Sequence, residues 1–354
     1  MPNEWHGFRG GPLHPGSVRA SAGIQEPKQV WEFDTGGSVE SSPTVVDGMV
    51  YVGTFANHLF ALDAMDGEER WRFPVGGLVR ASPSVAYGMV YFGADDDTFY
   101  AVDKKTGEER WRVPLGKGGE QSSPAIVKGV CYFGGFDHKV YAVNARTGEV
   151  LWTFSTAGQI LSSPAVVGDL LVIGSRDGTV YGLHSRTGQE RFRFETKKAV
   201  WSSPAIAGDW VVVGSDDGNV YALESSLGRE QWRFETGGAV FSSPVISFED
   251  RTVYFGSDDQ HLYAVDLQTG KERWRCNLQG RVLGTPALVG NHLYVGGGGA
   301  GGDQPGALFA VDRRDGSIVW RFGIGATVWS SPTVVGDSLW FGAHDGLVRR
   351  LTNR

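Results

Sequence analysis

A Ser-Pro or Thr-Pro step recurs eight times along the 354-residue chain, and the residues between successive steps repeat one pattern. The prolines stand at positions 43, 83, 124, 164, 204, 244, 286 and 332, at intervals of 40, 41, 40, 40, 40, 42 and 46 residues. A nearly fixed period of this length is typical of proteins that stack one supersecondary unit many times. The unbroken series therefore predicts one repeat domain rather than two unlike domains.

Each repeat of about forty residues reads as four short β-strands. In the first unit, residues 41–46, 49–53, 59–63 and 69–73 are rich in β-branched and aromatic side chains, and short turns containing Gly or Asp separate them. Such a small sheet has two apolar faces, and only stacking against neighbouring copies buries both. The sequence therefore predicts an all-β fold, an eight-bladed β-propeller of four-stranded antiparallel blades.

The two ends of the chain complement each other. The last repeat stops after three strands near residue 351, and a strand-like segment at residues 28–36 precedes the first Ser-Pro step. Pairing this segment with the last repeat completes the eighth blade and closes the ring, which removes an exposed sheet edge. We expect one propeller domain over residues 1–354, with residues 1–27 as a lead-in and residues 28–36 as the closing strand.

Two repeated side chains are predicted to be structural. An aromatic residue near the start of the fourth strand offers a large apolar surface for packing between blades. These residues are Trp71, Trp111, Trp152, Phe192, Trp232, Trp274 and Trp320. An aspartate in the turn between the second and third strands is expected to accept backbone N–H groups of its own turn. It occurs as Asp96, Asp137, Asp177, Asp217, Asp259 and Asp345.

Cys131 and Cys276 lie three blades apart, too far for a disulfide, and are predicted to be buried thiols.

A docking motif connects the repeats to a known family. The stretch Ala-x-Asp-x-x-[Thr/Asp]-Gly-x-x-x-Trp occurs at residues 61–71 and 101–111 and, more loosely, at 264–274 and 310–320. It resembles the tryptophan-docking motif of the PQQ-like (quinoprotein-like) β-propeller repeat family, and the lead-in from residue 5 onward is similar to that of other members. The resemblance covers about residues 5–351. It implies the propeller fold, and it implies a scaffold like the outer-membrane assembly factor BamB, which is similar in size, or a PQQ-dependent enzyme or sensor.

The chain departs from both kinds of relative. Quinoprotein dehydrogenases are longer, many carry a disulfide between adjacent cysteines, and their catalytic Asp and calcium ligands lie in insertions without counterparts here. No catalytic residue is therefore carried over. BamB is a lipoprotein, whereas no cysteine stands near residue 1.

The loops between blades are expected to ring one mouth of the central channel. Two of the three residues before each proline are nearly always small, which crowding near the axis explains. The third is polar in blades one to three and large and apolar in blades four to eight. In ring order it is Glu40, Arg80, Gln121, Leu161, Trp201, Phe241, Leu283 and Trp329. An aromatic wall with a few polar groups is typical of pockets for organic ligands, so we predict an amphipathic ligand-binding cleft. In the alternative interpretation these side chains plug the channel, and Glu40 forms an ion pair with Arg80.

The turns between second and third strands open on the same face and supply a predicted outer rim. The variable residue before the turn aspartate forms this rim. It is Phe55, Asp95, Phe136, Arg176, Asp216, Asp258 or His344. In blade seven the glycine-rich loop Gly296–Gly306 projects toward the same mouth, either as a flap or as a tolerated insertion.

Charge and motifs exclude several functions. The formal net charge of −7, with both signs well mixed, gives no support for nucleic-acid binding. No apolar run approaches the ~18 residues of a transmembrane segment. The first residues do not form a signal peptide, so we expect a cytoplasmic protein if Met1 is native and an extracytoplasmic one if a leader was removed. The eight histidines are scattered, no metal site or catalytic motif occurs, and we expect a monomer.

Three functions follow from these observations. The first is a non-catalytic binding or scaffolding propeller that presents the cleft to a protein partner or small organic ligand, with no cofactor. The second is a PQQ-binding enzyme or sensor, with the quinone stacked on a tryptophan and Arg80 on a carboxylate; a single arginine at the mouth counts against it. The third is an enzyme of other chemistry that uses Glu40 and Arg80 as an acid–base pair.

Overall fold

The structure, a computed structural model, describes residues 17–18, 23–119, 122–298 and 305–354. In these ranges all regular structure is β, and each of eight sheets contains a four-stranded antiparallel meander. None of the described residues forms a helix long and apolar enough to cross a membrane. The eight-bladed propeller predicted from the sequence is confirmed.

The four strands of each blade follow one another from the channel outward. The innermost strands are Thr44–Val46, Ser84–Ala86, Ala125–Val127, Ala165–Val167, Ala205–Ala207, Val245–Ser247, Ala287–Val289 and Thr333–Val335. The second strands are Met49–Gly53, Met89–Ala94, Val130–Gly134, Leu170–Gly174, Trp210–Gly214, Thr252–Gly256, His292–Gly297 and Ser338–Gly342. The third strands are His58–Asp63, Thr98–Asp103, Lys139–Asn144, Thr179–His184, Asn219–Glu224, His261–Asp266, Ala307–Asp312 and Leu347–Asn353. The outermost strands are Glu69–Pro74, Glu109–Pro114, Val150–Ser155, Glu190–Glu195, Glu230–Glu235, Glu272–Asn277, Ile318–Gly323 and, in blade eight, Pro27–Asp34.

The hydrophobic core lies between blades rather than within one. Innermost strands contact the innermost strands of the neighbouring blades, which places them around the axis. Second and third strands are buried on both faces and therefore read as nearly continuous apolar runs. Each apolar cluster joins two blades; Tyr51 and Trp71 of blade one, for example, pack with Val90 and Phe92 of blade two. A single blade exposes both of these faces, so the ring is the unit that buries them.

The N-terminal strand closes the ring. Pro27–Asp34 pairs antiparallel with Leu347–Asn353, so the closing strand predicted at residues 28–36 is confirmed, with its end two residues earlier. Upstream, Ser17–Val18 adds a short parallel strand to Ala287–Val289 of blade seven, which the sequence did not indicate. The rest of the predicted lead-in, residues 1–16 and 19–22, lies outside the described residues.

Aromatic residues of the outermost strands fix one blade to the next. The Trp71 indole donates its N–H to the carbonyl oxygen of Lys104 at 3.2 Å, and the equivalent tryptophans repeat this bond in the following blades. The same ring lies against Gly107, whose φ of +74° and lack of a Cβ allow the close approach. Packing between blades, as predicted for these residues, is confirmed.

The turn aspartates hold the blades together as well as capping their own turns. The Asp177 carboxylate accepts the Thr179 N–H at 2.9 Å within its turn. It also accepts the Ala157 N–H at 2.9 Å, from the loop that arrives from the preceding blade, and the Tyr181 hydroxyl at 2.8 Å. Asp217 and Asp259 make the same three kinds of bond. The two cysteines, Cys131 and Cys276, are buried and form no disulfide, as predicted.

Candidate functional site

Eight hydroxyl groups form the floor of the channel mouth. The residue directly before each repeated proline donates its backbone N–H to the hydroxyl oxygen of the corresponding residue in the next blade. In ring order these residues are Ser42, Ser82, Ser123, Ser163, Ser203, Ser243, Thr285 and Ser331, and Ser331 donates back to Ser42. The distances lie between 2.8 and 3.4 Å. Hydrogen bonding around the axis, and not crowding alone, therefore explains the small residues at this position.

Above this floor lies a cavity of about 360 Å³. Seven of the eight variable residues predicted for the mouth line it together. They are Glu40, Arg80, Leu161, Trp201, Phe241, Leu283 and Trp329. The eighth, Gln121, lies outside the described residues. The repeat thus brings its dissimilar side chains to one opening, because each sits at the same point of its inter-blade loop.

The apolar side of the cavity has an aromatic wall. Trp201 and Phe241 meet edge to face, with ring centroids 5.5 Å apart and an interplanar angle of 87°. Trp329 is 37% exposed, and the centroid of its ring lies 5.1 Å from that of the His344 ring. Among the described residues, these side chains leave a cavity between them.

A charged network forms the opposite side. The Arg80 guanidinium donates to Asp95 at 2.9 Å and to Glu40 at 3.4 Å, so the ion pair expected between Glu40 and Arg80 is present. The same guanidinium lies 4.5 Å from the centre of the Phe55 ring, and the His344 imidazole stands 3.2 Å from the Glu40 carboxylate. Burial raises the pKa of Asp95 above its usual range, while the bond from Arg80 opposes this shift.

The predicted rim residues form a second tier that contacts the mouth. The Arg176 guanidinium lies 5.0 Å from the centre of the Trp201 ring, and Asp258 accepts a bond from Arg281 at 2.6 Å. Asp216 stands beside Trp201; burial first, and then the charge of Asp258, raise the pKa of Asp216 to about 6. Six of the seven rim residues thus touch the mouth or its arginines. The exception is Phe136, whose described contacts are with the loop at residues 118–119.

Arg281 is a cavity residue that the sequence prediction missed. It lies five residues before Pro286, and the corresponding positions of the other repeats hold uncharged residues. These are Ser38, Leu78, Gly119, Gln159, Ala199, Ala239 and Thr327. A comparison of this second loop position across the repeats would have found Arg281 as its only cation. The expectation of a single arginine at the mouth is therefore wrong.

Two further predictions concern the glycine-rich loop of blade seven and metal binding. The loop Gly296–Gly306, a predicted flap or insertion, lies largely outside the described residues, since residues 299–304 are not described. Within the described ranges, no three His, Cys, Asp or Glu side chains are grouped so that they could hold a metal ion. The groups available to a ligand are therefore aromatic rings, hydroxyls, carboxylates and guanidiniums.

Comparison with known proteins gives a family and a fold. The family described as outer membrane protein assembly factor BamB matches residues 17–159, 136–281 and 258–354. BamB from Moraxella catarrhalis is similar in structure, with a TM-score of 0.78, 16% identity and coverage of 92% of this chain and 99% of that chain. The computationally designed Ika8 protein reaches 0.78 with 18% identity, covering 90% and 97%.

A quinohemoprotein alcohol dehydrogenase from Pseudomonas putida HK5 reaches a TM-score of 0.84 with 14% identity, covering 99% of this chain and 80% of its own. At such identities the likeness shows the fold alone. No curated protein matches the sequence significantly.

Proposed function

The chain belongs to the family described as outer membrane protein assembly factor BamB, and on that premise we propose that it is a non-catalytic binding propeller whose mouth cavity receives a group from a protein partner or a small organic ligand. The cavity itself is the observation that carries this proposal. Seven otherwise equivalent loop positions have diverged into an aromatic wall facing a charged network, above a floor of hydroxyls. Packing of the ring needs only the repeated residues, so this divergence supports a binding role.

PQQ binding is the second candidate, and the second arginine favours it. Trp201 or Trp329 offers a stacking surface, and Arg80 and Arg281 offer charges for the carboxylates of the quinone. The fit is incomplete, because Glu40 and Asp95 already engage Arg80 and Asp258 already engages Arg281. A tricarboxylate would have to displace these side chains. No observation favours the third candidate, since Glu40 and Arg80 are held in that same ion-pair network.

The indole N–H groups provide a direct test of the binding function. In ¹⁵N-labelled protein, we expect titration with 3-phenylpropanol, a neutral aromatic probe, to shift the indole signals of Trp201 and Trp329. The signal of Trp232, which is docked between blades, should stay in place. Trp201→Ala and Trp329→Ala should weaken binding, whereas Trp210→Phe, on a strand that starts at the opposite face, should not.

The same titration with PQQ separates the two candidates. Binding of PQQ that Arg80→Ala and Arg281→Ala both weaken would favour the quinone. If PQQ, the neutral probe and the charged analogues of that probe all leave the signals of Trp201 and Trp329 in place, the proposed function is wrong.

A further inference from the structure

The arginines of the mouth already have anionic partners. Arg80 binds Asp95 and Glu40, and Arg281 binds Asp258 at 2.6 Å. A carboxylate ligand would have to replace one of these partners and leave a partly buried acid without its cation. Removing one member of a desolvated pair is costly, so the arrangement disfavours anionic ligands.

Asp216 is the acid of this group that has no ion pair. No Lys or Arg nitrogen of the described residues lies within 4 Å of its carboxylate, and its neutral hydrogen-bond donor is the Trp201 indole N–H. The charged and polar groups that act on it are Trp201, Asp258, Lys198 and Arg176. A half-buried carboxylate gains from an incoming cation, because such a partner offsets its desolvation.

The aromatic rings of the cavity wall already accept cations. Arg176 lies 5.0 Å from the centre of the Trp201 ring, and Arg281 lies 5.9 Å from the centre of the Phe241 ring. Both distances fall within the range of cation–π contacts, which strengthen when water is excluded. The wall therefore has the electrostatic character that suits an ammonium or guanidinium group on an apolar body.

We propose that the mouth selects an organic cation: an ammonium or guanidinium group directed to Asp216, with its apolar body against Trp201 and Phe241. This inference rests on the proposed binding function and adds the charge of the ligand to it. A lysine or arginine side chain of a protein partner and a free aromatic amine share this chemistry. Titration with a small amine and with a lysine-containing peptide distinguishes these two sources.

Three probes with one aromatic ring and different charge test the selection. They are 2-phenylethylamine, 3-phenylpropanol and 3-phenylpropionate, titrated against the intact protein at pH 7.5 while the Trp201 indole signal is followed. We expect the amine to bind roughly tenfold more tightly than the alcohol, and the acid to bind most weakly.

A blocked pentapeptide with a central lysine between leucines, and its glutamine analogue, form the second arm. Lysine-dependent binding of the peptide assigns the site to a partner side chain, and binding of the amine alone assigns it to a small ligand.

Asp216→Asn is the decisive variant. It should remove the preference for the amine over the alcohol, and the dispersed indole signals of the variant show that it is folded. Glu195→Gln makes the same change of charge at an exposed position of an outermost strand and should have no effect. In the wild type, affinity for the amine should fall as the pH drops through about 6, where Asp216 takes up a proton, and the variant should lack this dependence.

The possible results distinguish failure of the cation selection from failure of the binding function. Equal binding of all three probes, or tighter binding of the acid, overturns the selection of cations and leaves the binding function standing. A preference for the amine that survives in Asp216→Asn also overturns it. If no probe binds, the binding function fails, and this inference fails with it.

Discussion

At the scale of single residues, the mouth consists of pairs. Two separate series of variable positions are visible in the sequence, one before the prolines and one in the turns. The structure joins them within a blade, where Arg80 meets Asp95 and Trp329 meets His344. It also joins them across neighbouring blades, where Arg176 meets Trp201. These pairs match charge with charge, ring with ring or cation with ring, so the rim residues fix the side chains at the mouth.

Asp216 should make stability depend on pH in a direction unusual for a carboxylate. Its pKa in the folded protein, about 6, lies above the ordinary value of 3.8. Between these values the folded state binds more protons than the unfolded state, so stability falls as the pH rises through this window. Asp216→Asn should therefore be more stable than the wild type at pH 7.5, by about 1 kcal/mol after allowance for solvent screening, and equally stable at pH ~3, below both pKa values.

Denaturant unfolding at both pH values measures this difference. Asp266→Asn is the matched control with the opposite sign, because the bond from Arg273 lowers the pKa of Asp266 to about 2. That variant should lose stability at pH 7.5. If Asp216→Asn is destabilised at neutral pH, the carboxylate is held by a favourable contact and the argument from burial is wrong.

Residue positions in the cavity were predictable only where the repeat fixes them. Each of the seven described mouth residues stands three places before a proline, so the period alone predicted that they meet. Arg281 escaped because its loop position is uncharged in all seven other repeats, and in none of them does this position line the cavity. The pairing of Asp216 with Trp201 depends on how the turn and the loop lie side by side, which no local pattern encodes.

At the scale of strands, blade four differs in how its outermost strand docks on the next blade. In the other blades from one to seven, an alanine of the third strand stands opposite the docking tryptophan of the outermost strand, as Ala222 does for Trp232. In blade four Gly182 stands opposite Phe192, and a Cβ on Gly182 would overlap the Phe192 ring. The smaller residue allows the phenyl ring to lie closer to the sheet.

Gly182→Ala should therefore destabilise the protein by about 1–3 kcal/mol, the usual effect of overpacking. Adding Phe192→Trp should recover most of this loss, because it restores the Ala–Trp pair and gives an indole N–H that can reach the Ser225 carbonyl, as Trp152 reaches Ser185. Unfolding free energies of the two single variants and the double variant form the cycle. Additive effects, with no recovery in the double variant, would contradict this account.

Strand number and order followed from the sequence, but the boundaries at the channel did not. The pattern predicted the first strand over residues 41–46, whereas the ladder contains only Thr44–Val46. Residues 41 and 42 direct their hydroxyls into other bonds: Ser41 accepts the Gly53 N–H, and Ser42 accepts the Ser331 N–H. Serine pairs therefore read as strand in sequence although they serve the ring around the axis.

At the scale of the whole molecule, closure depends on the N-terminal segment in two places. Pro27–Asp34 completes blade eight, and Trp31 docks on blade one through a bond to the Ala64 carbonyl. Just upstream, the Ile24 carbonyl accepts the Trp320 N–H at 2.7 Å, in the place that an outer turn takes in other blades. The segment thus supplies both the missing strand and the missing docking partner.

Removing this segment should open the ring. A chain that begins at Thr35 loses the closing strand and both docking bonds, so the edge of Leu347–Asn353 becomes exposed and the apolar surfaces next to it lose cover. We expect its melting temperature to fall by roughly 10 °C or more in calorimetry, since several kcal/mol of buried contacts are lost. A chain that begins at Gly23 keeps these contacts and serves as the control.

Addition of a peptide of residues 23–36 should raise the melting temperature of the truncated chain in proportion to the logarithm of peptide concentration, because the peptide binds only the folded form. Equal melting temperatures for the two chains would show that the propeller holds together through its hydroxyl ring and inter-blade packing alone, without closure by the N-terminal strand.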